Sequence, residues 1–310
     1  MSKNFQWTTE EETDWAERIP SPSPAPPKRP PRRRRGVWLL LLPGILGLLF
    51  HQIYQRVTAV TADVEAEIRS SQELLEQAES REDVELFTTV LSGRDAHWTA
   101  VQQSLFRQDL LWGQSLGLSL LAAPPEVISV TVAPDLQSAE MLVERQYTTG
   151  EADAPVGVTL THSLTFRRGE SRWLLAPPSD AFWGAWRQAG GYYVTLIYPE
   201  RDEAIALRLL REMDGQVREL CRFEPAAECP SGWQLLVRLD TDPTSLTAVT
   251  DAERLFSANP VFELPTPSLV GLPIDDIGYA ALAQVYISQV VDRAIFEVVA
   301  WAAPSPWAAG

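Results

Sequence analysis

Lysine is almost missing from this 310-residue chain, occurring only at Lys3 and Lys28. Histidine occurs three times (His51, His97, His162), cysteine twice (Cys221, Cys229) and asparagine twice (Asn4, Asn259). These shortages exclude classes of function. A zinc peptidase of the His-Glu-x-x-His type needs two histidines one helical turn apart, and no two of these three are that close. Two cysteines with no histidine near them do not make a metal site. Positive charge is scarce where it would count for nucleic acid. Residues 1–36 hold eight Lys or Arg against five Asp or Glu, a net of +3; the other 274 residues hold 18 against 36, a net of −18. Phosphate binding needs clustered basic side chains, so nucleic acid is not an expected partner. A surface this acidic is also repelled by anionic lipid.

One uncharged run stands out. Between Arg35 and Arg56 lie twenty residues without formal charge, GVWLLLLPGILGLLFHQIYQ. Twenty helical residues span about 30 Å, the thickness of a bilayer core. The run predicts a transmembrane helix over 36–55, flanked by Trp38 and Tyr54 and oriented by Arg32–Arg35 with the N-terminus in the cytoplasm. The expected partner of this segment is membrane lipid, and the expected location is the cell membrane with the later domains outside it. The strictly apolar part, Val37 to Phe50, is short enough to be a signal-peptide core or a buried helix instead. Residues 1–35, acidic and then proline-rich and basic, predict a disordered cytoplasmic tail, as do 304–310 a disordered end.

After residue 56 the period is helical. Val57, Val60, Val64, Ile68 and Leu75 form a stripe, a second helix is predicted around Asp83 to Leu91, and a third puts Trp98, Val101, Leu105 and Trp112 on one face. Pro124-Pro125 closes this zone. The period then changes to two: Ile128, Val130 and Val132 alternate with polar residues, as do Met141, Val143 and Tyr147, with Arg145 on the same face. Val158, Leu160, His162, Leu164 and Phe166 make the longest alternating run, and Trp173-Leu174-Leu175 begins a last strand. Helices followed by an antiparallel meander predict an α+β domain over 56–190. From Gly191, a strand at 193–198, a helix through Leu209 and Val217, strands at 235–237 and 261–264 and a long helix after Asp275 predict a smaller α/β unit over 191–303.

Two resemblances follow from these segments. Helices followed by long strands, ending in RRGESRWLLAPPSDAFWG, resemble the SnoaL or ketosteroid-isomerase type of cone, the nuclear transport factor two-like fold, over roughly 60–187. That resemblance implies a conical pocket between helices and sheet, which in the family binds a ligand, catalyses, or is simply filled. The phrase LPTPSLVGLPIDDIGYAALAQVYISQVV resembles the region before the catalytic helix of peptidase MA-like gluzincins, over about 191–303. The zinc-binding helix of that family has no counterpart here, so no catalytic residue is carried over.

The candidate site residues follow from the strand faces. His162 shares its face with Leu160 and Leu164, and Arg145 and Tyr147 face the same way; lining a pocket, they would bind a small ligand or transfer a proton. The alternative is a hydrogen-bonded core histidine and a surface arginine. Gly113-Gln114-Ser115-Leu116-Gly117 matches the nucleophile elbow, but a helical stretch precedes it where that motif needs a strand. Cys221 and Cys229 are spaced to close a short disulfide loop in an exported domain. Asp240 and Asp242 read as a turn before Pro243 rather than a calcium site. No pattern asks for a cofactor. The functional expectation is a membrane-anchored, exported, non-catalytic protein that binds a ligand or protein, or acts as a spacer. The alternatives are an enzyme centred on His162 and signal transfer through residues 1–35.

Overall fold

A computed structural model describes residues 51, 61–150, 155–223, 229–249 and 259–302. The chain divides into two units, Met1–Arg56 and Val57–Gly310. Of the first only His51 is described. The expectation of a spanning helix is corrected: among the described residues, no helix is long and apolar enough to cross a membrane. The segment 36–55 itself, His51 apart, lies outside the described residues, as do the tail over 1–35 and the end over 304–310. The long helices that are described carry charge along their length, as at Asp292, Arg293 and Glu297 near the end of the last one.

The second unit is α+β. Helix α1 (residues 61–81) buries Val64, Ile68, Ser71, Leu75 and Ala78, a stripe at alternating spacings of four and three. Glu82 takes a left-handed turn (φ 52°) and Asp83 caps α2 (Val84–Val90), accepting from the Leu86 amide at 2.9 Å. Asp95 caps α3 (Ala96–Arg107) in the same way, through the Trp98 amide. The third helix ends sooner than the apolar spacing suggests. Asp109 is left-handed (φ 56°), and Trp112 opens a separate 3-10 turn, Trp112–Leu116.

Six strands follow as one antiparallel sheet. β3 (Ser138–Thr149) and β4 (Val156–Arg168) pair along their whole length and form its centre. β1 (Ser119–Leu120) and β2 (Glu126–Val132) share the outer edge of β3, and β5 (Trp173–Leu175) pairs the end of β4. A register shift between Val127 and Ser129 turns Ile128 outward, so it stays exposed despite the apolar alternation. On the inner face the cross-strand partners are Ala139 and Phe166, Met141 and Leu164, Val143 and His162, Arg145 and Leu160, Tyr147 and Val158, all buried. Helix α1 is tied to this sheet: the Ser71 hydroxyl donates to the Trp173 carbonyl at 2.7 Å, and the Trp173 indole donates to Glu67 at 3.1 Å.

After a short helix, α4 (Asp180–Trp183), a second sheet begins with β6 (Trp186–Gly190), antiparallel to β7 (Val194–Pro199). The boundary read at 190/191 therefore falls inside a hairpin. Helix α5 (Glu203–Phe223) crosses to β8 (Leu235–Asp240), and β9 (Val261–Pro265) completes a parallel trio. Asp214, buried on α5, holds the hairpin turn through the Tyr193 and Val194 amides at 2.6 and 3.1 Å.

The C-terminal part returns to the first sheet. A one-turn helix, α6 (Pro267–Val270), leads into β10 (Leu272–Pro273), which pairs with Thr161 and Leu160 of β4. Helix α7 (Asp276–Ala302) then packs on α5, burying Tyr279, Leu282, Tyr286 and Val290. Buried Asp202 fixes the returning segment, accepting from the Thr266 and Ser268 hydroxyls. Burial pushes its carboxyl up, against the pull of those donors.

Candidate functional site

The inward alternation of β3 and β4 brings Arg145, Tyr147 and His162 together inside the first sheet. The Tyr147 hydroxyl and His162 Nε2 are 2.9 Å apart, and both residues are buried. The indole of Trp112 lies edge-on to the imidazole, with ring centres 5.5 Å apart. Gly271, between α6 and β10, closes the other side: a Cβ there would stand 2.5 Å from His162 Cε1. Nδ1 of His162 has no hydrogen-bond partner among the described residues. His162 and Tyr147 are thus sealed by Trp112 and the returning strand.

Burial, and then the charge of Arg145, hold the His162 imidazole well below its ordinary range. The facing groups are Tyr147 and Arg145, with uncharged Trp112 and Gly271. The unfolded chain takes up a proton at this position near pH 6.5 and the folded chain does not. The stabilisation is therefore complete above that value and is lost as pH falls from it toward the folded pKa. At most this is about 1.4 kcal/mol per pH unit for one proton. Urea midpoints measured between neutral and mildly acid pH should fall more steeply for the natural chain than for His162→Gln. Parallel slopes would mean that the ring protonates as freely in the folded chain as in the unfolded one.

Arg145 is also buried, at 3% exposure, but sits in an ion pair. Its Nη1 and Nη2 reach the two Glu79 oxygens at 2.7 and 3.4 Å, its guanidinium lies 5.5 Å from the Trp112 ring centre, and the Trp112 indole donates to Glu79 at 3.1 Å. Burial works against the charge of Arg145, but Glu79, Tyr147 and Glu76 together more than offset it, so its pKa is raised. Sequence reasoning missed Glu79 and Trp112. A signal for Glu79 existed: an inward arginine on an apolar strand face requires a carboxylate, and Glu79 flanks the buried stripe of α1.

A cleft opens above Arg145. It lies between α1 and residues 120–125, has a volume of about 790 Å³, and is lined by Glu73, Glu76, Glu79, Glu82, Arg81 and Arg145 together with Leu121 and Pro124-Pro125. At Glu79, Glu82, Gln114 and Leu120 it shares its wall with a hollow of about 410 Å³ that reaches Phe106 and Asp109. Neither is lined by His162 or Tyr147. Burial pushes the Glu76 carboxyl up, against a hydrogen bond from Gln72 (3.2 Å) and the charge of Arg145. Nε of Arg145 has no partner among the described residues.

The other sequence candidates lie apart. Ser115 is buried in the 3-10 turn, its hydroxyl donating to the Trp112 carbonyl at 2.8 Å, which leaves no exposed nucleophile. The sulfurs of Cys221 and Cys229 are 1.96 Å apart at the end of α5. Asp242 accepts from the Thr244 amide at 2.8 Å and meets His97 at 3.1 Å, within a turn. Among the described residues, no group of three or more His, Cys, Asp or Glu is placed to hold a metal ion.

No family model matches the chain, and no curated protein matches it. Among solved structures it is similar to an NTF-2 like protein of unknown function from Shewanella oneidensis MR-1. The identity is 11%, the likeness covers 36% of this chain and 93% of that one, and the TM-score is 0.24. At that score the likeness carries no argument about function.

Proposed function

We propose that this chain is a binding protein, and that its ligand is a small amine held in the cleft over Arg145. The observation that carries this reading is the acidic lining of that cleft, where Glu73, Glu76, Glu79 and Glu82 stand against Arg81 and Arg145.

The walls supply the rest. Arg145 neutralises one carboxylate, Glu79, while Glu73, Glu76 and Glu82 stand around the same space. Glu76 is half-buried and its ionised form is disfavoured. A cation beside it restores that form. Enclosure of His162 and Ser115 supports binding over catalysis, because neither reaches the cleft. A spacer would show no saturable response to such ligands.

The test uses the full chain with 2-aminoethanol and glycinamide as probes and acetate and ethanol as controls. Calorimetry should show saturable binding of the amines alone. Glu76→Gln should weaken binding about tenfold, the loss of roughly one charge-assisted contact. Equal responses to amines and to acetate, or none to either, would overturn the reading.

A further inference from the structure

The outer edge of the second sheet is open. β6 is the end strand in the order β6-β7-β8-β9. Two bonds fix its phase: the Glu200 amide donates to the Ala185 carbonyl at 2.9 Å, and the Gly191 amide to the Val194 carbonyl at 2.7 Å. In an antiparallel pair, bonded positions alternate, so Arg187 and Ala189 bond inward to β7. Trp186, Gln188 and Gly190 direct both N–H and C=O outward, and among the described residues nothing pairs with them. The strand has no proline and no lysine, and its one charge, Arg187, is taken up by Glu200 at 2.7 Å. Most exposed edges are blunted by such residues; this one is not.

We infer that β6 pairs with β6 of a second copy of this chain, antiparallel about a two-fold axis at Gln188. That register is self-complementary. Gln188 meets Gln188 of the other copy, Arg187 meets Ala189, and Trp186 meets Gly190. All three outward-facing residues fall in bonded pairs, giving about six backbone hydrogen bonds. No like charges come opposite each other. The match of Trp186 to Gly190 is the specific element. Over Gly190 there is open space, with only Thr195 Oγ1 in reach, 3.8 Å from an added Cβ. Trp186 is 44% exposed, and Arg238 stacks on its ring at 4.5 Å, holding the indole on that face. An aromatic ring laid across a glycine of the neighbouring strand fills the gap that the missing side chain leaves. A partner of another sequence would have to supply the same Trp-to-Gly match; a second copy supplies it twice.

A five-residue strand pair is smaller than a standard stable interface, so the dimer should be weak and concentration-dependent. Both copies are strongly acidic, so added salt should strengthen it by screening. A cationic partner on this edge would respond in the opposite sense.

Sedimentation velocity of the full chain, at roughly 1 to 100 µM and at low and moderate salt, reads this directly. A monomer–dimer equilibrium that tightens with salt is expected. Gln188→Pro removes one outward N–H and no internal bond; it should be monomeric throughout with an unchanged melting temperature. Trp186→Ser tests the ring independently and should raise the dissociation constant at least tenfold, which also covers the case in which the proline variant fails to fold. A natural chain that stays monomeric at the highest concentration in salt, or a folded Gln188→Pro variant that dimerises like it, overturns the inference.

Discussion

Replacing Gly271 with alanine is expected to destabilise the folded chain by about 3–5 kcal/mol, combining a backbone penalty with overpacking. Gly271 sits at φ 116° and ψ 135°, a region that side-chain-bearing residues avoid. Its missing Cβ would lie 2.5 Å from His162 Cε1 and 3.0 Å from both ring nitrogens. The ring has nowhere to retreat, since Tyr147 holds Nε2 and Trp112 stands against its face. Moving Gly271 instead would pull Leu272 and Pro273 off β4. The two penalties separate by a double-mutant cycle. His162→Ala removes the clash and leaves the backbone strain, so Gly271→Ala should cost about 1–3 kcal/mol less in that background. Urea denaturation followed by far-ultraviolet dichroism measures all four chains. A Gly271→Ala effect below about 1 kcal/mol would show that the closure against His162 is looser than the geometry described above.

The second large effect is at Arg145. Arg145→Met should cost about 3–5 kcal/mol, because it leaves Glu79 a mostly buried carboxylate with only the Trp112 indole to answer it. The ion pair itself is worth far less than its half-removal suggests. Glu79→Leu combined with Arg145→Met should therefore recover most of the lost stability, since apolar pairs of similar volume replace buried ion pairs at little net cost. The same double variant should still bind amines, since Glu73, Glu76 and Glu82 remain around the cleft, which distinguishes a structural role for the pair from a direct role in binding. If the double variant is no more stable than Arg145→Met alone, the pair is a structural necessity that an apolar pair does not replace.

The strand faces were the most legible part of this chain. Strict alternation over β3 and β4 placed Arg145, Tyr147 and His162 on one side, because a residue's face on a strand depends only on parity. The face said nothing of depth. For His162 the sequence left a pocket lining and a hydrogen-bonded core position both open, and what covers it is Gly271, more than a hundred residues later, just before a strand two residues long with no periodicity to announce it. Trp112 was placed on the α3 face by its spacing from Leu105; the left-handed residue at Asp109 ends that helix, and Trp112 instead packs, partly buried, against His162 and Arg145. Ile128 failed for a local reason as well, since a one-residue bulge reverses every parity argument beyond it. Hydropathy led to a spanning helix over 36–55; no helix among the described residues is long and apolar enough to cross a membrane, and that segment, His51 apart, lies outside them. The hairpin of β6 and β7 spans the boundary that the change of pattern at Gly191 suggested.

The return of β10 to β4 also sets the order in which the protein is made. Thr161 and Leu272 are neighbours in the sheet but about 110 residues apart in the chain. During synthesis the unpaired edge of β4 must wait on the order of ten seconds for its last partner to leave the ribosome. Until then the imidazole is uncovered and the first sheet is unfinished. The two sheets are consequently not independent modules that a linker happens to join. They should melt as one cooperative body, and a cut between them leaves the first sheet without β10 while the second keeps all four of its strands.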